Sequence, residues 1–117
     1  FLMHAVNHLL EFWETQMSES HRSSNYFFRR TPSHYHMMLL VMSAHYNNQN
    51  LSVEELKTKL FYTSRPKSSI IINDACKSGF FYLQRTDTDK RRKHIKPSEM
   101  FIKEFKDYLS ILKEISN

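Results

Sequence analysis

The chain contains a single glycine, Gly79, and the segment after it constrains the fold more than any other feature. A residue without Cβ enters the left-handed conformation that satisfies the last orphan carbonyls of a helix, so Gly79 suits a helix C-terminal stop. An extended stretch comes next: Phe81 and Leu83 point one way, Tyr82 and Gln84 the other, and Ile95 offers an apolar partner on a return strand. Thr86 to Asp89 supply turn-forming side chains. Arg85, Lys90, Arg91, Arg92, Lys93 and Lys96 gather around that turn. A charge run is usually a solvated face. At a hairpin tip, where a groove can be entered, it reads instead as a wing that touches a polyanion.

The segment before the wing supplies two short helices. Ser52 and Glu55 stand at capping-box spacing, with Leu51 and Leu56 placed as a hydrophobic staple. A helix therefore starts at about Val53 and runs through Leu60, with a turn around Phe61 to Ser64. Pro66 disfavours helical geometry for Arg65 and suits the first position of a new helix, predicted over about Pro66 to Ser78. Two helices joined by a tight turn and followed by a hairpin make a winged helix-turn-helix. A further helix is expected from about Pro32 to Tyr46.

Composition narrows the partner. The 117 residues are one domain's worth, and dimerisation would help so small a core. A net charge of +5 and a pI near 9.4 favour nucleic acid or another anionic surface. One cysteine, Cys76, excludes an intrachain disulfide framework. The longest apolar run, Met37 to Met42, is too short to span a bilayer, and the first residues carry no basic leader. A soluble, cytoplasmic, nucleoid-associated protein with no membrane contact is expected.

Catalysis is not expected. The sole glycine excludes a Gly-rich phosphate loop, and no nucleophile–base or paired-carboxylate arrangement stands out. His4 and His8 are one helical turn apart and His34 and His36 are close in sequence, but nothing completes a metal site. Cys76 on a helix reads as a buried, inert thiol. No metal or cofactor is predicted.

Gly79, Asp89 and Arg91 fall without a gap into the register of the wing motif of the MarR family of transcription regulators, which the chain resembles over about residues 51 to 101. Where the family's wing exits through Leu-Thr, this chain has Pro97-Ser98, which keeps a hydroxyl for the next N-cap. It departs from the family at Leu83, where many members are basic, and at Phe101, where glycine is common. The resemblance implies a mainly α fold with a small β-hairpin wing (α+β), and an arginine at position 91 that enters the minor groove of duplex DNA.

Residue chemistry assigns the remaining roles. Ile71, Ile72, Ala75 and Cys76 form a stripe at helical spacing and read as core. Arg65 and Ser68 sit at the N-terminal end of the second helix, the part that inserts deepest, with Lys67, Ser69 and Asn73 on the side away from the stripe as groove contacts. Ile70 either packs inward or meets a thymine methyl. A guanidinium is cheaply desolvated, which suits Arg91 to a narrow minor groove. Asp89 would repel phosphate if free, so it serves the wing structurally. Arg85, Lys90, Arg92 and Lys93 contact the DNA backbone.

The chain ends carry apolar seams. Leu2, Val6, Leu9, Trp13 and Met17 recur at alternating four- and three-residue spacings, as do Phe101, Phe105, Tyr108, Leu112 and Ile115. Leu10, Ile102, Leu109 and Ile111 widen them. Residues 1–117 therefore read as one winged helix-turn-helix domain, with 1–18 and 98–116 as helices of a homodimer and about 32–97 as the DNA-binding lobe. Phe12, Trp13, Tyr26, Phe27, Phe28 and Tyr35 either fill the core or line a pocket for a small-molecule effector. The expected function is transcription regulation by promoter occlusion. The competing reading is a winged-helix protein-interaction subunit of a transcription or nucleic-acid-processing assembly, which a recognition helix with an acidic or apolar exposed face would favour.

Overall fold

A computed structural model describes residues 2–18, 24–85 and 92–116. Its elements run α1 (Leu2–Ser18), α2 (Ser24–Phe27), α3 (Pro32–Tyr46), α4 (Val53–Lys59), α5 (Arg65–Lys77), β1 (Phe81–Arg85), β2 (Lys93–Pro97) and α6 (Glu99–Ser116). The mainly α fold with one antiparallel hairpin agrees with the expectation.

Local chemistry accounts for the helix starts. Thr31 caps α3, its hydroxyl accepting from the His34 amide at 3.2 Å, with Pro32 in the first turn. At α4 both halves of the capping box form: Ser52 Oγ accepts from the Glu55 amide at 3.0 Å, and Glu55 accepts from the Ser52 amide at 3.4 Å. The staple residues Leu51 and Leu56 are both buried.

α5 begins one residue earlier than the sequence suggests. Ser64 is extended and its hydroxyl accepts from the Lys67 amide, so Arg65 is the first helical residue and Pro66 the second. The pre-proline bias of Arg65 is outweighed by this cap, and the missing Pro66 N–H costs nothing where the helix has no acceptor for it. At the other end Gly79 has φ +82°, the left-handed value that its position after a helix demands.

The hairpin pairs Phe81 with Pro97 and Leu83 with Ile95, so Ile95 is the apolar partner expected on the return strand. Only Phe81 of β1 is buried; Leu83 is 39 % exposed because the ribbon runs past the core. The wing is also sewn to the start of α4. The Ile95 amide donates to the Leu51 carbonyl at 2.9 Å, and Ser52 forms a bridge with His94.

Four phenylalanines centre the core. Phe28 packs 4.9 Å from Phe101, 5.4 Å from Phe80 and 5.3 Å from Phe81, ring centroid to centroid. Met37, Val41 and Met42 from α3, Leu56 and Leu60 from α4 and its end, and Ile72 from α5 close around them. Ile71 and Ala75 are buried as predicted and Cys76 is half-buried, with burial pushing its thiol pKa up, which suits an inert residue. α1 packs along α6. Among the described residues no helix is long and apolar enough to cross a membrane.

Candidate nucleic-acid interface

At 3.6 residues per turn, Pro66, Ile70, Asn73 and Lys77 fall on one strip of α5, opposite the buried Ser68, Ile71, Ile72 and Ala75. The strip is exposed and carries no carboxylate, since Asp74 lies off it and is half-buried. Lys67 is exposed on one flank; Ser69 is half-buried on the other.

The helix and the wing share a groove of about 330 Å³, where Asn73 from α5 and Lys57 from α4 face Leu83, Arg92 and Lys93 of the wing. Among the described residues Glu54 is the one carboxylate on its rim, and it is engaged. It accepts from Lys57 Nζ at 3.5 Å and from the Arg65 guanidinium. Neighbouring Glu55 has its pKa lowered, chiefly by its hydrogen bonds with Ser52.

These positions sort the predicted contacts. Arg65, Lys67, Asn73, Arg85, Arg92 and Lys93 are all exposed, with Asn73, Arg92 and Lys93 brought to one groove. Ser69 is half-buried, and Ser68 departs furthest. Expected at the DNA, it is fully buried, because its position on the wheel falls inside the apolar stripe, and its Oγ finds no hydrogen-bond partner. Asp89, Lys90 and Arg91 lie outside the described residues. Lys57 and Lys77 escape the sequence reading. Lys57 is legible as a cation on α4, but only the fold places it, half-buried, across from the wing.

A second concavity, about 490 Å³, opens between the terminal helices and the lobe, lined by Trp13, Arg29, Arg30, Pro32, Tyr35 and Tyr108 among others. Of the aromatics expected there, Trp13 and Tyr35 line it; Phe27 and Phe28 are core instead, because the end of the short α2 and the residue after it run into the aromatic cluster. The Arg29 guanidinium sits 5.4 Å from the Phe12 ring, 5.6 Å from Tyr35 and 4.6 Å from Tyr108.

The histidines are dispersed. His4 and His8 touch edge to face at 4.2 Å, His34 is buried with its Nδ1 2.7 Å from Thr31 Oγ1, and His36 meets the Phe61 ring. Among the described residues no group of three or more His, Cys, Asp or Glu side chains is placed to hold a metal.

No protein-family model and no curated protein matches the chain. Solved structures do. The DNA complex of S. aureus MepR is similar with a TM-score of 0.67 at 19 % identity, over 99 % of this chain and 86 % of that one. MarR is similar with a TM-score of 0.55 at 12 % identity, over 98 % of this chain and 74 % of that one. The fold is that of the MarR-like winged helix. The heme sensor PefR from Streptococcus agalactiae shares this MarR-like architecture, with a TM-score of 0.61 at 17 % identity, over 94 % of this chain and 69 % of that one. In this fold α5 is the second helix of the helix-turn-helix, the β1–β2 hairpin is the wing, and α1 with α6 are the outer helices.

Proposed function

We propose that the chain is a dimeric, sequence-specific DNA-binding transcription regulator that represses by promoter occlusion. The observation that carries this reading is the shared groove, in which Asn73 of the recognition helix and the wing cations Arg92 and Lys93 face the same space. A base-reading amide beside backbone-neutralising cations is the division of labour that duplex recognition needs.

In this reading the exposed strip of α5 enters the major groove, and Arg85, Lys90, Arg92 and Lys93 neutralise phosphates on either side of it. Arg91 enters the minor groove from the wing tip, with Asp89 holding the turn. The exposed α1 residues Leu2, Val6, Leu9 and Trp13 pack against a second copy, so that two recognition helices meet a pseudo-palindromic site. The absence of carboxylates from the α5 strip weighs against the alternative of a protein-docking wing.

The cleft at Arg29 and Arg30 is the place for a small-molecule effector, whose insertion between lobe and outer helices would change the spacing of the two recognition helices. PefR was solved with heme, which makes ligand control a natural extension of this architecture.

Binding to duplex DNA at two salt concentrations tests the reading. The expected result is log K falling with log salt by about 0.9 for each phosphate neutralised, and a sharp loss of affinity in Arg91→Ala with folding intact. Asp89→Ala should also weaken binding; tighter binding would reject its structural role. A chain that ignores duplex DNA at low salt would refute the proposal in favour of a protein partner.

A further inference from the structure

Ile70 occupies the middle of the exposed strip of α5 and is 58 % exposed. Helical stability does not account for it there, since a β-branched residue is a poorer helix former than the Lys, Glu or Ala that a solvent-facing position accepts. Its surroundings are mostly polar: Thr31, Ser33, His34, Thr63 and Lys67 share with it, and with the buried Ile71, a groove of about 260 Å³, and along the strip Pro66 precedes it while Asn73 and Lys77 follow. An exposed aliphatic group set among cations, hydroxyls and an amide fits a polyanion that bears small apolar groups. Duplex DNA does, because the thymine C5 methyl is the apolar group displayed on base edges in the major groove.

Asn73 adds a polar reader beside it. It stands three residues after Ile70, so the two side chains are neighbours with Cβ atoms roughly 5–6 Å apart, a span comparable with one to two base-pair steps of about 3.4 Å. A carboxamide sets an NH2 donor beside a carbonyl acceptor, so it can donate to adenine N7 while accepting from N6.

We propose that α5 reads A·T pairs in the major groove, Ile70 packing on a thymine methyl and Asn73 pairing with the adenine of a neighbouring A·T pair. The inference rests on the DNA-binding reading above and assigns it a base preference.

Selection from a random-sequence duplex library, followed by affinity measurement on the enriched sequence made with thymine or with uracil at each position, tests it. Uracil lacks only the methyl group. Wild-type protein should enrich A·T pairs and lose about fourfold in affinity for the methyl that Ile70 covers, from roughly 0.8 kcal/mol per buried carbon. Ile70→Ala, checked for folding by circular dichroism, should bind thymine and uracil duplexes alike, while Ile70→Val should keep part of the preference. Asn73→Ala should lose roughly five- to 150-fold on the selected site and little on random sequence. Duplex binding indifferent to uracil, or a thymine preference that survives in Ile70→Ala, would overturn the assignment and leave DNA binding standing. No duplex binding at all would remove both.

Discussion

The hydroxyl groups of Tyr35 and Tyr108 meet at 2.7 Å, tying the central helix of the lobe to the last helix of the chain. Arg29 lies over both rings, so one aromatic and cationic cluster joins the two parts of the molecule. Burial pushes the Tyr35 pKa up from 10.0 to about 12, aided by the hydrogen bond and charge of Tyr108 and opposed by Arg29.

That shift has a defined sign. The folded state holds the Tyr35 proton more tightly than the unfolded chain, so the associated stability is complete below pH 10.0 and is lost as pH rises towards about 12. Tyr35→Phe should flatten this alkaline loss in urea titrations and cost about 1 kcal/mol at neutral pH. An unchanged alkaline slope would place the transition elsewhere.

His34 acts at the other end of the scale. Its pKa is lowered from 6.5, first by burial and then by Arg30, with Asp74 opposing. A depressed imidazole is neutral in the fold, so its contribution is present above pH 6.5 and lost as pH falls through the folded value. Urea midpoints measured between pH 7 and 5 should fall less in His34→Gln than in the parent.

Gly79→Ala should destabilise the protein by about 1–2 kcal/mol, the cost of a left-handed backbone with a Cβ. Space is not the reason, because the added methyl would meet only Met100 Cε at 3.9 Å. Chemical denaturation should therefore find Gly79→Asn milder than Gly79→Ala.

Two substitutions separate packing from DNA contact. Arg92→Ala should weaken binding to all duplexes alike and reduce the salt slope by about 1. Ser68→Ala should leave DNA binding untouched and stability equal or higher, since the buried hydroxyl gives up no bond. Loss of DNA affinity in Ser68→Ala would contradict its burial.

Light scattering should report about twice the 14.1 kDa chain mass. Val6 and Leu9 are 60 % and 45 % exposed on the single chain, and glutamate at both should yield a folded monomer that binds palindromic duplex more weakly. A parent protein that remains monomeric well above its DNA-binding concentration would remove the two-half-site mechanism.

Much of this architecture is decided within a few residues of chain. The capping box at Ser52, the helix over Pro32 to Tyr46, the left-handed stop at Gly79 and the Leu83 to Ile95 register all depend on local hydrogen bonds, φ preferences and alternation, which sequence displays directly. Other features depend on groups far apart in the chain. Whether Phe27 and Phe28 lined a cleft or filled a core was settled by Phe80, Phe81 and Phe101 arriving from the wing and α6. Ser68 is polar, and composition points it outward; the angular position it shares with Ile71, Ile72 and Ala75 buries it once α5 packs on the lobe. The juxtaposition of Asn73 with Arg92 and Lys93, and the Tyr35–Tyr108 bond across 73 residues of separation, likewise exist only after packing, because a side chain's distant neighbours are set by the paths of whole elements rather than by its own spacing.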